Sequence, residues 1–147
     1  MRKKMFIVLL VMMIIFALAS SLCAQETDPA KVVIAMADAL SAGDIEATMA
    51  LFTDDAIFSD YIGKEQIRLF MEDLIANNFK IQIEILEVLG DIVVTRSKTW
   101  HAETRQLDIA PLEYIEIYPI QDGKLKGFIS IATDETEAKI KAALAPK

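Results

Sequence analysis

Apolar and polar positions change period twice along this chain. Val32, Val33, Met36, Ala37 and Leu40 recur at helical spacing and form one stripe. Asp28-Pro29 opens that helix, with the acid as cap and proline at the first helical position, and Ser41-Ala42-Gly43 closes it. Asp44 is placed to cap a second, short helix over Ile45–Leu51. Thr53-Asp54-Asp55 reads as its break, because short polar side chains compete with the backbone for hydrogen bonds. Ala56-Ile57-Phe58 suits a short strand, followed by Asp60 and a turn closed by Gly63. Ile67, Leu69, Phe70, Met71, Leu74 and Ile75 then make Lys64 to Ala76 a third, amphipathic helix that stops at Asn77-Asn78.

Beyond Asn78 the period falls to two. Phe79, Ile81, Ile83 and Ile85 alternate with Lys80, Gln82 and Glu84, which is a half-buried strand. The phase slips at Ile85-Leu86, so a bulge or strong bend is expected there. Gly90-Asp91 reads as a hairpin turn, Ile92 to His101 as the next strand, and the following residues as a polar loop of about eight. Leu112 to Ile120 and Lys124 to Ala132 are two more strands joined by the tight turn Gln121-Asp122-Gly123. Thr133-Asp134 caps a last helix through Leu144. Helices gathered on one face of a curved antiparallel sheet make an α+β fold. A bent sheet wrapped on the N-terminal helices leaves a cone open at one end.

The first 24 residues stand outside that pattern. Arg2-Lys3-Lys4, the apolar run Met5 to Leu18, and Ala24 before Gln25 make a secretory signal peptide cleaved before Gln25. An uncleaved anchor or a lipoprotein at Cys23 is the lesser reading, since the run is short for a membrane span and Leu22 stands where a small residue is needed. The mature protein is then residues 25–147, one domain, secreted or periplasmic, with no stable membrane association. Cleavage removes the single cysteine, so no disulfide can form within the mature chain and its core must stabilise it. The formal charge of −7 includes the three signal-peptide cations, so the mature surface is more acidic still. That argues against nucleic acid and anionic membrane as partners. No His or Cys pair has metal-ligand spacing, and there is neither a glycine-rich phosphate loop nor a hydrolase-triad signature. No metal or cofactor is implied.

Gly43-Asp44-Ile45-Glu46-Ala47, Phe52-Thr53-Asp54-Asp55-Ala56, Asp60 with Gly63, and Ile120-Gln121-Asp122-Gly123-Lys124 together resemble the nuclear transport factor 2-like superfamily. Within it, the resemblance is to the SnoaL-like and ketosteroid-isomerase-like domains, over residues 25–147. It implies a cone-shaped sheet of the cystatin-like α+β barrel type. It implies function only weakly, because isomerases, dehydratases, cyclases and epoxide hydrolases share the fold. Ketosteroid isomerases carry their base after the short strand, where this chain has Asp60, and a protonated acid before the Asp-Gly turn, where it has Glu116. Their oxyanion-hole phenol falls at Met36, so at best half of that hole remains. SnoaL-like cyclases often carry a histidine on the last strand, where Gly127-Phe128-Ile129 stands.

Strand parity extends the candidate site. Burying Arg96 and Lys98 unpaired would be costly, which turns Val93, Thr95, Ser97, Thr99 and His101 inward and leaves Trp100 as outer cover. By the family analogy Tyr114, Glu116 and Tyr118 face the cone, with Phe128 and Ser130 chosen for the inner face of the last strand. The expected ligand pocket is therefore Met36, Phe58, Tyr61, Phe70, Thr95, Ser97, Thr99, Tyr114, Tyr118 and Phe128, with Asp60, Glu116 and His101 as candidate catalytic groups. Each has a plainer reading: Asp60 as a turn acid accepting backbone amides, Glu116 as a solvated strand acid, His101 as a surface residue. Ile115, Ile117, Ile129 and Ile131 share the opposite face and suggest a homodimer. Three functions follow. One is binding of a small, largely apolar molecule, and the second is cofactor-free isomerase, lyase or cyclase chemistry with Asp60 as base and Glu116 or His101 as acid. The third is a non-catalytic dimeric interaction or scaffold module of an envelope complex, which would show a filled cone and a large exposed apolar face.

Overall fold

A computed structural model describes residues 28–145. The expected signal peptide, its cleavage before Gln25 and the question of Cys23 lie outside the described residues. The chain runs α1 (Pro29–Ala42), α2 (Ile45–Ala50), β1 (Phe52–Phe58), β2 (Tyr61–Ile62), α3 (Lys64–Ala76), β3 (Lys80–Leu89), β4 (Ile92–Trp100), α4 (Ala102–Gln106), β5 (Leu112–Gln121), β6 (Lys124–Ala132) and α5 (Asp134–Leu144). Asp28 caps α1 through Ala30 N–H at 3.1 Å, and Asp44 caps α2 through Ala47 N–H at 2.9 Å. The buried residues of α1 are Val32, Val33, Met36, Ala37 and Leu40, the stripe read from the sequence. Among the described residues no helix is long and apolar enough to cross a membrane.

The six strands form one sheet in the order β2-β1-β6-β5-β4-β3. All neighbours are antiparallel except β1 and β6, which run parallel. The sheet stays unclosed and bends at three irregularities. One falls in β3 between Ile85 and Glu87, where the hydrophobic phase slips. Another lies between Ile117 and Ile120 of β5 as it pairs β6. The third separates the pairs Phe52–Leu125 and Ile57–Gly127. At that last point Gly127 has φ +151°, and a Cβ there would overlap the carbonyl of Ile57. Only glycine lets β1 come this close to β6.

The helices cover the concave face. The α1 stripe lies across β3 and shares one core with Met49, Phe52, Ile67, Met71, Val93 and Leu125. Complete burial of each such side chain is worth about 1.5–3 kcal/mol, and this core carries the fold, since no cysteine falls among residues 28–145. A bidentate pair from Arg68 to Glu46 (2.7 and 3.1 Å) ties α3 to α2. On β4, Val93, Thr95, Ser97 and Thr99 are buried while Arg96 and Lys98 are exposed, pairing with Glu84 at 3.3 Å and Glu113 at 3.4 Å.

Three local expectations need correction. The strand expected over Ala56–Phe58 already begins at Phe52, because Thr53, Asp54 and Asp55 bow out of the β1–β6 register instead of breaking the chain. Tyr61-Ile62, expected as part of a turn, pair back on Phe58-Ile57 as a short edge strand. The polar loop after β4 contains the helical turn α4. Ala102 N–H donates to Asn77 O at 2.9 Å and the Arg105 guanidinium to Asn78 O at 3.1 Å, so α4 is pinned to the end of α3.

Candidate functional site

The open end of the cone is a cavity of about 270 Å³, walled by α1, α3, β1 and the inner faces of β3 to β6. Its wall is mostly apolar, with Met36, Phe58, Phe70 and Phe128 among the lining residues and Glu116, Tyr114, Tyr118, Thr99, Ser130 and His101 as the polar points. The aromatic side is a connected stack. Phe58 lies on Phe128 with ring centroids 3.7 Å apart and planes 13° from parallel. Phe70 meets Phe58 at 5.0 Å, and Tyr118 meets Phe128 at 5.6 Å. Burying such rings in mutual contact fixes a flat, rigid wall.

Glu116 is the polar centre. Period-two alternation on β5 sends Glu116 and Tyr118 to the same face, and both are buried, at 5% and 1% exposed. The Tyr118 hydroxyl donates to Oε2 of Glu116 at 2.7 Å, while Ser130 Oγ reaches Oε1 at 3.5 Å. Burial pushes the Glu116 carboxyl above its ordinary value of 4.5, against the lowering effect of hydrogen-bond donation from Tyr118 and neighbouring hydroxyls. Burial raises the Tyr118 phenol well above its usual range, and the nearby Glu116 adds to that. Tyr114 shifts the same way, through burial first and Glu116 second. Ser97 Oγ approaches the Glu116 carboxyl without completing a hydrogen bond, and Thr95 Oγ1 is likewise buried without a partner.

Of the expected pocket residues, Met36, Phe58, Phe70, Thr99, Tyr114, Tyr118 and Phe128 line the cavity. Tyr61 lies off the wall and stacks on the back of the aromatic group, 6.1 Å from Phe58 and 5.1 Å from Phe70. Thr95 and Ser97 face inward but are fully buried beside the cavity instead of lining it. Of the candidate catalytic groups, Glu116 and His101 share the cavity wall. Asp60 sits exposed in the turn between β1 and β2, off that wall, so it is not brought together with Glu116. Leu40, Met71, Leu74, Phe79 and Ile81 also line the cavity. Their sequence signal was the helical or strand stripe, which marks burial without distinguishing a core from a cavity wall.

His101 follows the last residue of β4 and precedes α4. Its backbone N–H donates to Thr104 Oγ1 at 3.2 Å. Glu116 pairs Thr95 across the β4–β5 ladder, and from that level to His101 is roughly 20 Å of extended backbone at about 3.3 Å per residue. The two groups therefore sit at different levels of the wall. Among the described residues, no three His, Cys, Asp or Glu side chains gather where they could hold a metal ion.

Comparison with known proteins agrees with this architecture. The chain is similar to a cystatin-fold protein from Novosphingobium aromaticivorans (TM-score 0.60, 20% identity, covering 71% of this chain and 97% of that one). It is also similar to a putative SnoaL-like polyketide cyclase from Jannaschia sp. CCS1 (TM-score 0.62, 20% identity, 81% and 93%). A third similar structure is SalBIII, an epoxide hydrolase/cyclase-like enzyme in pyran ring formation of the polyether salinomycin (TM-score 0.63, 14% identity, 75% and 94%). Among curated proteins none matches the chain. The family model of the SnoaL-like domain matches residues 33–128, from the first helix to the glycine-gated strand β6, and the chain belongs to that family, within the nuclear transport factor 2-like superfamily.

Proposed function

We propose that this protein binds a small, largely apolar molecule in the cone and hydrogen-bonds an oxygen acceptor of that molecule through Glu116. One observation carries this reading: a single buried carboxyl, held toward its neutral form, stands in a wall otherwise made of aromatic and aliphatic side chains. A concave apolar site with few convergent polar groups is the usual build of a small-molecule pocket. With Oε2 engaged by the Tyr118 phenol and Oε1 met only by Ser130 Oγ at 3.5 Å, Oε1 is the oxygen from which the protonated acid would donate to a ketone, ether or epoxide oxygen. A scaffold role is the weaker alternative, because the cone is not filled.

A second reading adds turnover. The similar structures include cyclase-like proteins, and a neutral carboxylic acid in an apolar site can act as a general acid. Glu116 is that acid in cofactor-independent isomerase, lyase or cyclase chemistry, and His101 is the group left on the wall to accept a proton. His101 stands six residues along β4 from the Glu116 level and makes no hydrogen bond to Glu116, and a site with one buried acid and no such paired base favours binding over acid–base action on one bond. The reading also includes export, on the pattern of residues 1–24, and a homodimer through the outer face of β5 and β6. There Ile115–Ile131 and Ile117–Ile129 are cross-strand neighbours, and Ile129 and Ile131 are 58% and 51% exposed.

Titration of the mature chain with 2-acetyl-6-methoxynaphthalene, an apolar ketone whose emission reports polarity, tests the binding reading. We expect a blue-shifted, saturable signal. Glu116→Ala should weaken it about tenfold, the worth of one buried hydrogen bond with its desolvation cost. Glu116→Gln, whose amide still donates, should keep most of the affinity. Absence of saturable binding, or equal affinity in all three proteins, overturns the proposal.

A further inference from the structure

A second, polar cleft of about 350 Å³ lies on the outer side of His101 and Leu74, and these two residues line both spaces. The rest of the outer cleft is Asp73 and Asn77 from the end of α3 and Ala102, Glu103 and Gln106 from α4. Its polar groups are carboxylates, side-chain amides and the imidazole, and no Lys or Arg lines it. The two walls are fastened to one another by the Ala102–Asn77 and Arg105–Asn78 hydrogen bonds, and Thr104 anchors α4 from its buried side. The cleft is thus a fixed feature, and His101 and Leu74 stand between it and the cone.

Resting on the binding reading above, we infer that the ligand is elongated and amphipathic: an apolar body with an oxygen acceptor fills the cone, and a tail ending in a hydrogen-bond donor passes between His101 and Leu74 into the outer cleft. Two facts define this class. The inner end of the wall presents Glu116, whose burial favours the donating, neutral form, whereas the outer cleft adds two carboxylates, two side-chain amides and the imidazole. Glu116 and His101 lie at different levels of the wall, six residues apart along β4, so a molecule that meets both Glu116 and the outer cleft has length. An anionic tail is disfavoured by Asp73 and Glu103; hydroxyl or ammonium tails fit.

Three fluorescent ketones that share one body separate the possibilities: 2-acetylnaphthalene carrying a 6-methoxy, a 6-(3-hydroxypropoxy) or a 6-(3-aminopropoxy) group. We expect the hydroxyl and amine probes to bind about five- to tenfold more tightly than the methoxy probe, the worth of one or two added hydrogen bonds. The doubly substituted Glu103→Ala/Gln106→Ala protein should erase that gain. Neither residue lines the cone, so methoxy affinity should stay unchanged, which also shows that the fold is intact. A gain confined to the amine marks the tail as cationic, and an equal gain marks it as a neutral donor; both support the inference. If the methoxy probe binds and the tailed probes bind no better, or if their gain survives the double substitution, the outer cleft is not part of the site and the inference fails alone. If no probe binds, the binding reading fails and this one with it.

Discussion

The phenol of Tyr118 and the carboxyl of Glu116, two residues apart on one face of β5, are joined by a 2.7 Å hydrogen bond inside the protein. The pair fixes which carboxyl oxygen is engaged and which is available. It also restrains the upward shift of the acid, because a donor stabilises the ionised form. Tyr118→Phe should therefore move the Glu116 pKa further up, read by carbon NMR titration of its side-chain carboxyl. The variant should lose on the order of 1 kcal/mol of stability, the usual net worth of one hydrogen bond. An unchanged or lowered pKa would show that Tyr118 does not donate to Glu116.

Glu116 also makes stability depend on pH in a direction opposite to that of most carboxylates. Its folded pKa is raised, so the native state binds more protons than the unfolded one between the unfolded value near 4.5 and the higher folded value. Stability from this group is complete below about 4.5 and is lost as pH rises through the folded pKa. Glu116→Gln, a permanent mimic of the neutral acid, should be flat over that window. The stability difference between the two proteins, followed by urea unfolding across the window, should grow with pH in favour of the Glu116→Gln variant. A difference that shrinks would mean that the acid is ionised and stabilised in place.

Gly127→Ala places a methyl against the Ile57 carbonyl at the parallel seam of β1 and β6. We expect a loss of about 1–3 kcal/mol, as for overpacking, together with weakened probe binding, since Phe58 and Phe128 pair in register beside the seam. Thermal unfolding and the methoxy-probe titration measure both. Wild-type stability in the variant would mean that the seam has slack.

Asp60→Asn should change neither probe affinity nor stability by more than about 0.5 kcal/mol, the range for an exposed substitution. A tenfold loss of affinity would place Asp60 in the site.

Ile129→Lys puts a charge in the centre of the four-isoleucine face. Sedimentation at micromolar concentration should show a dimer for the parent and a monomer for the variant, with the probe still bound. A parent that sediments only as monomer rules the dimer out.

Much of the fold was legible because burial writes a period into the chain. The α1 stripe, the phase slip at Ile85-Leu86 that became the β3 bulge, and the alternation of Thr95, Ser97 and Thr99 against Arg96 and Lys98 all follow from which side of an element meets the core. The resemblance through Glu116 put the acid on the right strand and face. The remainder depends on contacts far apart in sequence. Thr53-Asp54-Asp55 has the local chemistry of a break, and only pairing with β6 holds it extended. Ala102–Gln106 is too short to show a stripe, and its anchors are backbone carbonyls of Asn77 and Asn78, which composition cannot reveal. Asp60 lies beside Phe58 in sequence, yet the chain has already turned outward at Ser59, whose φ is +49°.

The parallel pairing of β1 with β6 has a consequence for when the site comes into being. Phe58 belongs to the early part of the chain and Phe128 to its final strand, and their stack closes a loop spanning most of the domain, as does the Asp55–Lys126 ion pair beside it. Closing so long a loop costs entropy that nothing repays until the last strand docks. A nascent chain still lacking β6 therefore has four helices and a meander to build from but not the complete cavity wall. On the proposed function, occupancy of the cone would count only completed molecules, and a bound molecule would stabilise the whole domain by mass action on its final form.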